Sequence, residues 1–395
     1  MIPALLVLQD GTAYPGYSFG APPLTPEELK RRVEEAPAAA TGIGEVIFNT
    51  AMSGYHEILT DPSYVGQMVV MTHPHVGNYG TDPVWQEHHR QGVVVQPSGF
   101  VIRENYAGRL PFGRTSLGAF LQESRVPGIC DVDTRRLTLS LRSEGSLTGA
   151  IVAMPEGVTR WERPEAFAGY AREIAAMVGA FPGMEGRNLV EPFVSPEKGT
   201  AEAASEALRT GRGLIAVVDY GAKASIVENI TRRGHEVVVF PASAGAQEIL
   251  AARPKGVVLS NGPGDPAVLT GPIETAGNLI GKVPLLGICL GHQLIGLGLG
   301  GKTYKMKFGH HGANHPVRNQ ETGSVQVTSQ NHGFAVDEKS LPPGVTVWLR
   351  NANDGSVEGL KSEERGMLSA QFHPEAAPGP RDAEWIFDEF LKRTQ

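Results

Sequence analysis

The sequence predicts an α/β protein in which a doubly wound, mostly parallel C-terminal sheet follows a mixed α+β N-terminal domain. Three observations carry that expectation. After residue 213 apolar strands and amphipathic helices alternate strictly, which implies a parallel sheet covered on both faces. Before residue 194 short β-rich runs are separated by Gly, Pro and Asn clusters without such alternation. Between them SPEKGTAEAASEALRTGRG, residues 195–213, is small and polar without large apolar anchors, and it reads as a surface helix or linker. The expected division is a domain at 1–194, a linker at 195–212 and a second domain at 213–395.

In the first half, ALLVLQDGTAYPGYSFG is a β run broken at Asp10-Gly11 and reads as a hairpin. Gly44 to Asn49, Gln67 to Met71 and Gly92 to Gln96 read as strands, and Asp133 to Glu144 as a helix. In the second half the strands are LIAVVDYG, HEVVVF, GVVLS and VPLLGIC, with helices over Ala224 to Arg233, over a short stretch after HEVVVF, and after Gly271. The most apolar stretch, Val283 to Gly301, carries Pro284, His292, Gln293 and six glycines. It is therefore expected as a buried strand and a tightly packed helix rather than a membrane span.

Composition narrows the function. A chain of 395 residues with 41% hydrophobic and 19% charged residues supports two or three cores. A net charge of −7 gives no basic field, so neither nucleic acid nor a membrane surface is an expected partner. Two cysteines cannot build a disulfide framework, and the N-terminal run MIPALLVLQDGT lacks a basic segment and cleavage site. The cytoplasm is the expected compartment.

Parallel sheets bind ligands beyond the carboxyl ends of their strands, so chemistry is sought there. Cys289 ends the strand Pro284 to Ile288 and precedes LGHQLIGLGLG, with Gly287 and Gly291 two residues to either side. Gly-x-Cys-x-Gly at a strand-to-helix junction is the thiol form of a nucleophile elbow. Unpaired N–H groups at the helix start favour the thiolate there. Cys130 is also preceded by Gly-Ile, but Asp131, Val132 and Asp133 follow it and no glycine opens a turn, so it reads as structural. The run Met367 to Phe372 ends in His373-Pro374-Glu375, where Pro374 favours an extended backbone, so that the carboxylate can orient the imidazole. Taken alone, that pair reads equally well as a solvated loop. Together with Cys289 it forms a Cys–His–Glu set suited to acyl transfer. Asn261-Gly262-Pro263-Gly264-Asp265-Pro266 after the strand Gly256 to Ser260 is the candidate oxyanion loop.

Two other signals are set aside. Gly296 to Thr303 (GLGLGGKT) satisfies G-x-x-x-x-G-K-[ST], and Gly296, Gly298 and Gly301 also satisfy G-x-G-x-x-G, but a helix precedes and a β-like run follows, the reverse of a nucleotide loop. Gly309-His310-His311-Gly312-Ala313-Asn314-His315 has no neighbouring cysteine or carboxylate cluster in sequence and reads as a polar loop, with no metal expected.

LLGICLGHQ with the downstream HPE resembles the triad segments of class I glutamine amidotransferases. LSNGPGDP, KMKFGHHGANHPV, SQNHGFAV and the first-half segment FNTAMSGYHEILTDPSYVGQ extend the resemblance to the small, glutamine-hydrolysing subunit of carbamoyl phosphate synthetase over nearly the whole chain. The resemblance implies a flavodoxin-like amidotransferase domain, with Cys289 as nucleophile and His373 and Glu375 as partners. It matches Gly262, Gly264, Leu290, Gln293, Asn331, Gly333, Phe334 and Ser63 to L-glutamine-binding positions, although from sequence alone Ser63 equally reads as a turn cap. It further implies no cofactor in this chain, with ATP and Mg confined to a large synthetase subunit as partner, making carbamoyl phosphate for arginine and pyrimidine synthesis. An amidotransferase serving another acceptor, or a silent regulatory subunit, are the alternatives. APPLTPEELKRRVEEAPAAA, residues 21–40, looks like an insertion with a helix over Thr25 to Glu35.

Overall fold

The computed structural model describes residues 2–37, 40–87, 95–158, 164–190 and 213–395, so the linker expected at 195–212 lies outside the described residues. The chain forms two compact units, Met1–Gln86 with Arg90–Arg187, and Glu87–His89 with Asn188–Gln395.

In the first unit β1 (Ile2–Leu8), β2 (Ala13–Gly20), β3 (Ile43–Asn49), β4 (Gln67–Met71), β6 (Gly99–Val101), β8 (Pro127–Cys130) and β9 (Leu147–Ala153) close into a barrel in the order β1-β2-β8-β6-β4-β3-β9. The short strands β5 (His75–Val76) and β7 (Glu104–Asn105) pair apart from it. The β1–β2 hairpin turns at Asp10-Gly11 as expected, with Gly11 at φ +89 and Asp10 Oδ1 accepting from Thr12 N at 2.8 Å. Alternation splits β1 between two cores. Leu6 and Leu8 join Val46, Val70 and Ile151, while Leu5 and Val7 pack with Leu29 and with Ile174 and Val178 of the helix Ala168–Gly179.

Three first-half expectations meet the structure differently. Residues 92–94 lie outside the described residues, Val95 and Gln96 are not in a strand, and β6 begins only at Gly99, paired with Met68. Pro97 has no N–H to give a ladder and makes only an isolated bridge with Val65, so the continuous strand starts after it. The insertion helix spans Pro26–Glu35, with Thr25 and Glu28 making a capping box, and it buries only Leu29. The helix expected over Asp133 to Glu144 spans Thr134–Glu144, with Asp133 as its cap.

The second unit is one nine-stranded sheet in the order β11-β10-β12-β13-β18-β17-β16-β14-β15. Its strands are β10 (Leu214–Asp219), β11 (Glu236–Pro241), β12 (Gly256–Leu259), β13 (Leu285–Ile288), β14 (Lys302–Asn319), β15 (Val325–Asp337), β16 (Thr346–Asn351), β17 (Val357–Ser362) and β18 (Met367–Ala370). The pairs from β11 to β18 are parallel, and those from β18 through β17, β16 and β14 to β15 are antiparallel. The doubly wound half is therefore extended by an antiparallel half of similar size. Ile215, Val217, Val258, Leu286, Ile288 and Leu368 pack against Ile226 and Ile230 of the helix Ala224–Thr231 and against Ile386, Phe387 and Phe390 of the helix Trp385–Lys392.

The polar-loop reading of Gly309 to His315 is corrected: these residues lie within β14, an 18-residue strand. Its register with β15 shifts between Lys305 and His310 and between Gly312 and His315, with Gly309 at φ +68 and Gly312 at φ +152. Bulge glycines gave the strand the composition of a loop. Gly296 to Thr303 runs from the end of the helix Leu290–Gly298 into the start of β14, the reverse of a phosphate-binding order. Among the described residues no helix is long and apolar enough to cross a membrane.

Candidate active site

β13 stops at Ile288 and the next helix starts at Leu290, leaving Cys289 between them at φ 51, ψ −101. A non-glycine residue held at positive φ is the strained turn of a nucleophile elbow. The flanking glycines answer a different need, since neither has a positive φ. A Cβ on Gly287 would lie 2.6 Å from the Gly291 carbonyl oxygen, and one on Gly291 would lie 2.1 Å from that of Leu259. Backbone crowding requires the glycines, and the unusual dihedral falls on the cysteine.

β13 and β18 are neighbours, with Gly287 opposite Ser369 and Ile288 opposite Ala370. Two adjacent parallel strands therefore deliver Cys289 and, three residues past the end of β18, His373. Cys289 N donates to Ala370 O at 2.8 Å, and His373 N to Ser329 O of β15 at 2.8 Å. His373 Nδ1 donates to Glu375 Oε1 at 2.6 Å, and Lys223 Nζ lies 3.3 Å from the same oxygen while also donating to the Ala376 carbonyl. Cys289, His373, Glu375 and Lys223 are 2%, 2%, 3% and 1% exposed.

Burial pushes the Glu375 carboxyl up, but the Lys223 ammonium and the His373 ring outweigh it and hold the group below its ordinary range. For His373 burial works against the charged form, yet Glu375 and then Cys289 raise its basicity well above that of a free imidazole. His373 Nε2 has no hydrogen bond of ordinary geometry among the described residues and is the ring nitrogen available for proton transfer. The arrangement can hold a thiolate against an imidazolium whose other nitrogen is fixed by an ionised carboxylate.

The remaining matched positions other than Ser63 belong to the same unit as the thiol. Cys289 Sγ lies 3.5 Å from Asn331 O and 3.8 Å from Gln371 Nε2. Gln293 Nε2 donates to Phe334 O at 2.8 Å, and Asn331 Oδ1 accepts from His311 Nδ1 at 2.8 Å, leaving Asn331 Nδ2 buried without a partner among the described residues. Burial holds His311 neutral, with its pKa lowered to about 3, so it acts here as a donor. A Cβ on Gly262 would meet Tyr220 O at 2.3 Å and Leu290 Cδ2 at 2.8 Å, which seats the Gly262 loop against the first residue of the elbow helix. Gly264 follows at φ +98. Leu290 occupies the first helical position, where an N–H lacks an intrahelical acceptor. A Cβ on Gly333 would meet nothing within 4 Å, so protein packing does not demand that glycine. Ser63 belongs to the first unit, buried in the turn Pro62–Tyr64, with its amide donating to Asp61 Oδ1 at 2.9 Å.

Sequence reasoning missed Lys223, Gln371 and His311. Lys223 follows the end of β10 as Cys289 follows β13, and its position after a parallel strand was the available signal. The statement that no carboxylate accompanies the histidines also needs correction. Asp354 and Glu358, distant in sequence, lie 2.9 Å and 3.5 Å from His310, and the ligand atoms of His310, His332 and Glu358 all lie within 4.8 Å of one another. The two carboxylates outweigh the burial of His310 and raise its pKa to about 9, so the group reads as a buried ion cluster joining β14 to the β16–β17 hairpin.

Residues 216–393 match the family glutamine amidotransferase class-I, and residues 6–151 match the carbamoyl-phosphate synthase small chain, CPSase domain. A carbamoyl phosphate synthase small chain from Akkermansia muciniphila is 43% identical over 394 residues, covering 98% of this chain and 96% of that one. The chain belongs to the carbamoyl phosphate synthase small chain family. The family's member from Thermus thermophilus is 42% identical over 398 residues, covering 99% of this chain and 93% of its own. The member from Methanopyrus kandleri is 43% identical over 391 residues, with 98% of each chain covered. Identity of this order over nearly the whole chain spans the barrel half as well as the elbow half.

Proposed function

We propose that this chain is the glutamine-hydrolysing subunit of a carbamoyl phosphate synthase and releases ammonia from L-glutamine through a thioester on Cys289. The observation that carries the reading is the strained elbow of Cys289 with the buried row His373, Glu375 and Lys223 behind it. The thiolate attacks the carboxamide carbon and a C–S bond forms while the carbonyl oxygen takes the charge. Backbone N–H groups at Leu290 and around Gly262 and Gly264 stabilise that oxygen. His373 gives its proton to the departing nitrogen, the C–N bond breaks, and ammonia leaves. Water then attacks the thioester with His373 taking a proton, the C–S bond breaks, and glutamate leaves with the thiolate restored. Glu375 holds the ring tautomer throughout, and Lys223 keeps Glu375 ionised. Gln293, Asn331, Gly333 and Phe334 line the glutamine side, where the buried Asn331 Nδ2 is a donor in need of an acceptor.

In this reading ATP and Mg²⁺ act on a large synthetase subunit, the partner that receives the ammonia, and the cytoplasmic pair supplies carbamoyl phosphate to arginine and pyrimidine synthesis. The test is reconstitution. Adding the full chain to a purified large synthetase subunit with ATP, bicarbonate and glutamine should yield carbamoyl phosphate at a rate the large subunit reaches alone only with ammonia. Glutamine hydrolysis without any such gain would favour an amidotransferase for another acceptor, and no hydrolysis at all would favour a silent subunit.

A further inference from the structure

The second unit includes a short stretch from the first half of the sequence, Glu87–His89, and Glu87 of that stretch reaches the base of the catalytic row. Ser225 Oγ donates to Glu87 Oε2 at 2.6 Å, Ser225 N donates to the same oxygen at 3.3 Å, and Ala224 N donates to Glu87 O at 2.7 Å. Those are the first N–H groups of the helix Ala224–Thr231, whose own N-cap residue is Lys223 and has no side-chain cap bond. Glu87 thus does from a distant part of the chain what a capping side chain ordinarily does from the next residue. Lys223, which immediately precedes the helix start so held, is the residue that sends its ammonium to Glu375.

We propose that Glu87 is a positioning residue of the catalytic row, fixing the place and the charge balance of Lys223 and through it the Glu375–His373 pair. The proposal rests on the reading of Cys289, His373 and Glu375 as the reacting set. Glu87 and Lys223 are 7% and 1% exposed, so their charges act in a low dielectric and along a defined line. From base to tip the row runs Glu87, Lys223, Glu375, His373 and Cys289, with Glu87 only partly ionised near neutral pH. Burial pushes the Glu87 carboxyl up to about 7 while Lys223 and Ser225 pull it down and Glu375 pushes it further up. Lys223 N also donates to Asn261 Oδ1 at 3.1 Å, which ties the same residue to the strand end bearing the Gly262 loop. Among the described residues, the largest charge effects on Glu87, Glu375 and His373 come from within this row. His311, on the far side of Asn331, is neutral.

Replacing Glu87 by Gln keeps the shape and an acceptor for Ser225 but removes the charge. Lys223 then draws Glu375 more strongly, the hold of Glu375 on the imidazolium weakens, and the thiolate form becomes less favourable.

Two readouts test it on the full chain, alone and with the large synthetase subunit. Alkylation of Cys289 by iodoacetamide across a pH series, followed by mass spectrometry with Cys130 as internal reference, should be about 10-fold slower near neutral pH in Glu87→Gln than in the wild-type chain. Glutamine hydrolysis should fall about 10-fold in kcat with KM changed less than about 2-fold, the signature of an altered reacting group rather than of lost binding. Glu87→Asp should recover part of both. An unchanged alkylation profile with normal kcat in Glu87→Gln would overturn the proposal, as would a loss in Glu87→Ala that appears only as lowered thermal stability. Because alkylation is measured without glutamine, a wild-type chain with a reactive Cys289 but no glutamine hydrolysis would instead count against the proposed function.

Discussion

The two cysteines begin alike and end differently. Gly128-Ile129-Cys130 and Gly287-Ile288-Cys289 both close a buried parallel-paired strand, at 4% and 2% exposure. In the first unit Cys130 is the last residue of β8, opposite Tyr17, and the positive φ falls on Asp131 at 66°, followed by the helix that Asp133 caps. In the second unit the strand stops one residue earlier relative to the cysteine, and the positive φ falls on Cys289 itself. A shift of one residue decides whether a thiol lies in a ladder or stands at a helix start. The glycines differ too. A Cβ on Gly128 would press on the Phe19 ring at 2.6 Å, a side chain that can turn, whereas a Cβ on Gly287 would meet a backbone oxygen.

The largest effect is expected at the thiol that holds the strained position. Cys289→Ser should remove glutamine-dependent synthesis by more than about 10³-fold, while ammonia-dependent synthesis in the assembled enzyme stays near wild type, because in the proposed reaction the elbow only liberates ammonia. Loss of both activities in an intact complex would break the division of labour. Next, His373→Asn should reduce kcat by about 10³-fold or more, and Glu375→Gln by about 10- to 100-fold less than that, since in the proposed reaction one moves protons and the other orients. Equal losses would show that Glu375 does more than orient. Smaller still is a packing effect: Gly287→Ala should lower stability by about 1–3 kcal/mol, the range for overpacking against atoms that cannot yield, and Gly128→Ala by less. Thermal unfolding of the pair measures it, and the reverse order would mean that the elbow backbone relaxes more readily than the Phe19 ring. Smallest is Cys130→Ser, expected to leave both rates unchanged and to lower stability by about 1 kcal/mol, as for a hydroxyl placed in an apolar strand.

The elbow, the His373–Glu375 pair and the parallel half of the sheet were legible because their signals are local: a strand end, a glycine spacing, a Pro-stiffened dipeptide. Lys223 was not, because a lysine reads as surface unless its partner is known, and Glu375 is 152 residues away. Glu87 and the Asp354–Glu358–His310 cluster were hidden for the same reason. Barrel closure was equally out of reach, since it depends on β1 meeting β9 across the whole first unit, a pairing that no strand declares by itself. The antiparallel half was obscured by bulge glycines in β14.

The dihedral at Cys289 also bears on how this chain trades durability against reactivity. Within a helix alanine is favoured over glycine by up to about 1 kcal/mol. At φ 51, however, a side chain is itself the source of strain, of order 1–2 kcal/mol. The ranking should therefore invert: Cys289→Gly should melt above Cys289→Ala, and neither can turn over glutamine. In the proposed reaction the residue that the fold alone would discard is the one the chemistry needs, so the spot where the molecule is least comfortable is also the one the reaction cannot do without.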